Sequence, residues 1–256
     1  MKIQILEKTD RSIKFILEGV SQQFANALRR IAMTEVPTLA IEGVDFHANN
    51  SVLYDEIIAH RLGLLTLSFD SKIYNLPSGC NCDGKGCSNC QVILTLNKKG
   101  PCMVYAKDFK STELSVQPTF PETQIIELFE NQQLKLEATA ILGIGRDHAK
   151  WQASKAWYRF WPKAELTGKL DNQAQCIAVC PKNALKINSS ATVTPDCDLC
   201  GECAKIAEPK VLKISADKTK FIFTLESISG LNAEEIILKA IDILNKKAKE
   251  LEKGLK

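Results

Sequence analysis

The chain has little of what most enzymes and membrane proteins display. Only three histidines occur among 256 residues, His47, His60 and His148, and they are not spaced as a metal-binding set. No local string supplies a Ser/His/Asp or Cys/His catalytic pair, a phosphate-binding P-loop or an acidic metal triad. The one glycine string that suggests a dinucleotide loop, Gly143-Ile-Gly145-Arg-Asp-His148, lacks the third glycine such loops need. No apolar run is long enough to span a bilayer, and the first residues, MKIQILEKTDRSIKFILEG, lack the charged, apolar and small-residue zones of a secretory leader. Charge of one sign is also missing: 33 basic and 30 acidic side chains leave a net +3, so neither a polybasic nucleic-acid clamp nor an acidic tail dominates. These absences point to a cytoplasmic protein without a visible catalytic centre.

Cysteine, by contrast, is plentiful, and its ten copies cluster. In a cytosolic chain such clusters favour metal sites over a disulfide scaffold, the cytosol of hyperthermophiles being the exception. Cys197, Cys200 and Cys203 keep the C-x-x-C-x-x-C rhythm of bacterial ferredoxins, but the fourth position is Ala207. Upstream, Cys180 precedes Pro181 after a three-residue gap from Cys176, which is how a ferredoxin motif ends. In two-cluster ferredoxins the tail cysteine of one motif ligates the cluster of the other. That crossover assembles Cys180, Cys197, Cys200 and Cys203 around one iron–sulfur cluster. The second set would fall on Leu170, Gln173, Cys176 and Ala207, where one cysteine remains, so a second cluster is not expected. A cubane offers one iron at each corner to a soft thiolate, and two-residue gaps let a short loop reach three corners. Zinc held by four thiolates is the competing reading, and the Cys-Pro partner favours the 4Fe-4S cluster. A 3Fe-4S form is the variant expected if one ligand is labile.

A second group, Cys80, Cys82, Cys87 and Cys90, spans eleven residues of a glycine-rich loop. Four thiolates this close can close a tetrahedron around zinc, and two disulfides are the alternative in a thermophile. Cys102 stands apart and reads as packing.

Alternation at Ile3 and Ile5, a Thr9-Asp10 turn and the run Ser12 to Leu17 predict a strand pair. Ser21 can cap a helix with the apolar stripe Phe24, Ala27, Leu28 and Ile31, which Pro37 ends. Asp55-Glu56-Ile-Ile-Ala-His60-Arg61-Leu-Gly-Leu-Leu65 is helix-like, and Lys220-Phe-Ile-Phe-Thr-Leu-Glu-Ser227 strand-like. The last helix is the best patterned segment. Asn232 can cap it with Glu235 as box partner, and Leu231 can staple to Ile236. Ile237, Ile241, Leu244, Ala248, Leu251 and Leu255 then recur at steps of four and three, a coiled-coil seam widened by Ile236, Ala240 and Ile243. A face this wide must be buried in its own domain, against a second chain, or both.

Three strings in order, FANALRRIAMTEVPTLAIEGV from Phe24, LYDEIIAHRLGLLTL from Leu53 and GRDHAKW from Gly145, make the chain resemble the D-type subunit family of archaeal DNA-directed RNA polymerase. That family is related to the bacterial alpha amino-terminal domain and to the third-largest subunit of eukaryotic polymerase II. The resemblance implies an α+β fold. Residues 1–40 and 217–256 are expected to form a dimerisation domain, 41–164 an inserted domain with the cysteine loop, and 165–216 a ferredoxin-like insert. It implies a non-catalytic assembly platform that pairs with subunit L through Ile237, Ile241, Leu244, Ala248 and Leu251, with Phe24, Leu28, Arg29 and Arg30 also facing partners. Subunits N and P and the second-largest catalytic subunit would join it, and DNA would be met only through the complex. Asp55, Glu56, His60 and Arg61 match the second string and imply a role in structure or assembly. Two rival functions stand beside it: a ferredoxin-like electron-transfer module of a larger enzyme, which the degraded second motif weakens, and a metal-dependent nucleic-acid-binding protein.

Overall fold

The computed structural model describes residues 1–82, 84–188, 190–207 and 211–255. The fold is α+β, with five helices and several small sheets among the described residues. It divides into two compact units. The first comprises Met1–Lys8, Ile13–Ala27 and Trp157–Thr224, and the second Thr9–Ser12, Leu28–Ala156 and Leu225–Lys256.

In the first unit the expected strand pair forms, with Lys2–Lys8 antiparallel to Ser12–Glu18, and it extends through Leu212–Ser227 to Ser154–Leu166 in that order. Aromatic side chains fill this sheet. The Phe15 and Phe223 rings stack with centroids 5.2 Å apart, and Tyr158 meets Phe221 edge-on at 5.4 Å. Ile3 and Ile5 sit opposite Leu17 and Phe15 in the register, yet both are more than half exposed while their partners are buried.

Helix α1, Gln22–Thr34, begins where Ser21 Oγ accepts the Phe24 N–H at 3.3 Å and stops before Val36 and Pro37. Of the predicted stripe, Leu28 and Ile31 are buried and Phe24 and Ala27 half-buried; Ala25 and Ala32 complete the buried face, and Arg30 is exposed.

The second unit is built on an antiparallel sheet ordered Thr38–Asn49, Gln133–Gly143, Gln91–Lys99 and Lys110–Ser111. Strand Gln133–Gly143 turns Leu134, Leu136, Ala138, Ala140 and Leu142 inward, the period-two pattern of a half-buried strand. Helix α2, Asp55–Gly63, buries Ile58 and Leu62. Helices α3, Gln173–Ala178, and α4, Glu202–Ile206, belong to the first unit, and α5, Ala233–Gly254, to the second.

The start of α5 differs from expectation in one respect. Asn232 occupies the capping position but makes no side-chain cap. Glu235, expected to answer it, instead accepts Ser71 Oγ–H and pairs with Lys239 Nζ at 3.6 Å. A carboxylate facing a hydroxyl and an ammonium is better satisfied there than by one backbone N–H.

Candidate metal centres and assembly surface

The eleven-residue cysteine loop leads straight into strand Gln91–Lys99. Its four sulfurs all lie within 4.8 Å of one another. Cys80 to Cys87 and Cys82 to Cys90 are each 3.5 Å apart, and Cys87 to Cys90 is 3.7 Å. All four are free thiols in this structure. A tetrahedron with metal–sulfur bonds of about 2.3 Å has edges of about 3.8 Å, so the donor set fits one zinc-sized ion. The protonation pattern agrees. Hydrogen bonds from Cys80 and Cys90 hold the Cys82 thiol down to about 6, while burial pushes Cys90 up to about 12. Protons shared unevenly among crowded sulfurs are what a cation would displace. The group can bind a metal.

The ferredoxin-like cysteines all lie in the first unit. Cys180 follows α3, Cys197 and Cys200 lie on the loop before α4, and Cys203 lies within α4. Burial is the main cause that raises the Cys203 thiol, and the charges of Cys180, Cys197 and Cys200 raise it further; among the described residues only the Cys80 group gathers its sulfurs within 4.8 Å of one another. Leu199 and Gly201 take left-handed φ of 62° and 77°, so the loop turns sharply between Cys197 and Cys203. The Ala184 N–H donates to Cys180 Sγ at 3.3 Å. Cys197 and Cys203 are buried, and Cys200 is exposed.

The abandoned second set has become a hydrophobic core. Leu170, Cys176 and Ala207, at three of its four ligand positions, pack with Leu185, Ile187, Ala191, Cys203 and Leu212. Cys176 is fully buried, its thiol is raised by that burial, and its polar contact is Asn172 Oδ1 at 3.6 Å. Cys102 donates to the Lys99 carbonyl at 3.4 Å, outside both groups.

On α5 the apolar residues divide. Ala233, Ile236 and Ala240 are buried. The seam is not: Ile237, Ile241 and Leu244 are half-buried, Ala248 is exposed, and Leu251 and Leu255 are 66% and 79% exposed. Of the other expected partner-facing residues, Phe24 and Arg29 are half-buried and Arg30 is exposed, whereas Leu28 is buried within the chain itself at 3%.

The GRDHAKW string proves to be a clamp. A Cβ on Gly145 would stand 2.8 Å from the Met33 carbonyl oxygen, so only glycine permits this approach. The Arg146 N–H donates to the Thr34 carbonyl, and its guanidinium and Lys247 both grip Glu35. His148 Nδ1 accepts the Lys150 N–H at 3.0 Å, and Trp151 Nε1–H donates to the Ile141 carbonyl. Residue-by-residue reading missed Glu35, Arg146 and Lys247, because partners more than a hundred residues apart leave no local signal. His47 lies 3.5 Å from Glu137, away from the other histidines' strings.

This insert-bearing α+β architecture defines a class. The family model described as the RNA polymerase Rpb3/RpoA insert domain matches residues 40–158. Relatives extend the match over almost the whole chain. A protein named DNA-directed RNA polymerase subunit Rpo3 from Methanosarcina mazei is 40% identical, covering 98% of this chain and 97% of the relative. The Rpo3 of Methanothermobacter thermautotrophicus is 38% identical over the same shares, and that of Pyrococcus horikoshii 36% identical over 97% and 95%. The chain belongs to the Rpo3 family of DNA-directed RNA polymerase subunits.

Proposed function

We propose that the chain is the assembly platform of a DNA-dependent RNA polymerase, serving transcription through the complex rather than by chemistry of its own. The observation that carries this reading is the open seam of α5 in a member of the Rpo3 family. A helix that buries Ile236 and Ala240 inside its own unit and leaves Leu251 and Leu255 in water has a second apolar face to cover. Covering a leucine this exposed contributes about 1–2 kcal/mol, so several seam residues together supply the core of a stable interface. Subunit L is the partner we assign to it, with the second-largest catalytic subunit and subunits N and P docking on the same platform.

We assign zinc to Cys80, Cys82, Cys87 and Cys90, on the tetrahedral sulfur spacing, and one 4Fe-4S cluster to Cys180, Cys197, Cys200 and Cys203, on their ferredoxin-like spacing and the charges that Cys180, Cys197 and Cys200 exert on Cys203. Iron or zinc cations would neutralise thiolates that otherwise repel one another. The core built over the second set supports a cluster that holds a small domain in shape. Family membership along nearly the full chain favours this platform over an electron-transfer module.

The test is expression of the chain alone and with subunit L, followed by mass and metal analysis. Alone it should aggregate through the seam; together the two should give a soluble one-to-one pair carrying one zinc and four irons. A stable monomer indifferent to subunit L would overturn the assignment.

A further inference from the structure

Residues 67–75 run from the short strand Leu67–Ser68 toward the cysteine loop, and within the second unit they touch both that loop and α5. At the loop end, the Asn75 N–H donates to the carbonyl of Asn89, the residue before Cys90, at 2.8 Å. At the other end, a Cβ on Gly230 would stand 1.9 Å from the Leu67 carbonyl oxygen, so only glycine lets the approach to α5 lie this close to the strand. Between these ends Ser71 Oγ–H donates to Glu235, in the first turn of α5. Lys239, one turn further and 27% exposed, joins Glu235 at 3.6 Å. Burial lowers the Lys239 ammonium, while the Glu235 and Asp70 charges raise it.

The segment is braced along its length. Phe69 and Tyr74 are buried, their rings edge-on with centroids 6.5 Å apart. The Asp70 carboxylate accepts the Lys72 N–H at 2.9 Å, and the Asp70 carbonyl accepts the Ile73 N–H at 3.2 Å. A packed segment of this kind carries a displacement of Asn75 to Ser71 instead of absorbing it. The cysteine loop, in contrast, has no apolar side chain between its cysteines, so its shape depends on what joins the four sulfurs. Joined sulfurs fix Asn89 and keep its bond to Asn75; separated sulfurs release both. On α5, Ile236 is buried while its neighbour Ile237 opens the seam, so the turn that Ser71 grips also sets where the seam points.

We infer that metal occupancy of the cysteine loop and pairing through the α5 seam are coupled, with Ser71 and Glu235 as the positioning pair that joins them. A closed loop holds α5 in the orientation its partner fits, and by linkage the partner raises metal retention by the same factor. The two distinct sites are the four thiols and the seam; the two states are the loop with the Asn75–Asn89 bond made and broken.

The inference rests on subunit L as the partner and zinc as the metal, and the test separates these from the coupling. The full chain is paired with fluorescently labelled subunit L under anaerobic conditions. The dissociation constant is read by nanomolar dilution in the zinc-loaded pair, after zinc is stripped by a chelator with iron content verified unchanged, and after zinc is restored. Stripping should weaken pairing about fivefold, zinc should restore it, and hydrogen exchange of the amides from 235 to 239 should rise and fall in step. In Ser71→Ala the response to stripping should fall below about twofold, while Ser71→Thr, which keeps the hydroxyl, should retain it. A merely structural Ser71 would shift the constant equally with and without zinc. Pairing that is indifferent to stripping, or an undiminished response in Ser71→Ala, would refute the coupling. A chain that binds no zinc removes the metal assignment and the coupling with it, and one that ignores subunit L removes the platform reading as well.

Discussion

Replacing Cys176 with serine separates a packed thiol from a cluster ligand. The side chain is wholly buried among Leu170, Leu185, Ile187, Ala191, Ala207 and Leu212, with Asn172 Oδ1 as its polar contact at 3.6 Å. A hydroxyl there loses the larger, more polarisable sulfur and needs a stronger hydrogen bond than the thiol did. Burying an incompletely bonded hydroxyl costs about 1–3 kcal/mol on mutational scales. Asn172 can approach and recover part of this, so we expect a loss of about 1–2 kcal/mol. For a unit of this size each kcal/mol lowers the melting temperature by about 4–8 °C. Iron content and visible absorption of anaerobically prepared protein should stay at wild-type values below the new melting temperature. Cys180→Ser, in contrast, should abolish both at any temperature. The measurement is parallel melting, iron analysis and absorption of the two variants in the complex with subunit L. Loss of iron from folded Cys176→Ser, or retention of unchanged bands in Cys180→Ser, would refute the division into core and ligand.

Zinc affinity should fall steeply with acid, because each thiolate that binds must first lose its proton. Cys82, at about 6, is already ionised near neutrality, while Cys80 and Cys90 are raised. Chelator competition should therefore show a slope of at least about two decades per pH unit above pH 6, and about one decade more below it; a flat profile would contradict the site. In the first unit, the Lys163 ammonium holds the Asp217 carboxyl at about 2, helped by the Thr219 N–H. Its folded value is depressed, so its contribution is present above the unfolded value of about 3.9 and is lost as pH falls through about 2. Asp217→Asn should cost about 1 kcal/mol at pH 7, and progressively less as pH falls through 2, in pH-dependent denaturant melts. Glu35→Ala should cost about 1–2 kcal/mol by releasing Arg146 and Lys247, and hydrogen exchange of the Arg146 amide should rise with it. Leu251→Asp should leave melting of the chain's own units unchanged, since the side chain is 66% exposed, but weaken pairing with subunit L about tenfold or more in a titration.

Local rules determined much of this protein from the sequence alone. Ser21 and Pro37 bound α1, alternation marked the first hairpin, and cysteine spacing named two sets of four, because caps, pleats and metal loops depend on neighbours a few residues away. The three ordered strings pointed to the polymerase family for the same reason: each is a continuous stretch. The tertiary structure decided what depends on residues brought from afar. It drew Glu235 from its cap to Ser71 and Lys239, joined Glu35 to Arg146 and Lys247, and turned the vacated ligand positions Leu170, Cys176 and Ala207 into a core. It also divided the apolar surface of α5 into the buried Ile236 side and the open Leu251 side. A heptad pattern encodes which residues share a face, but whether the chain's own interior covers that face depends on packing between distant segments.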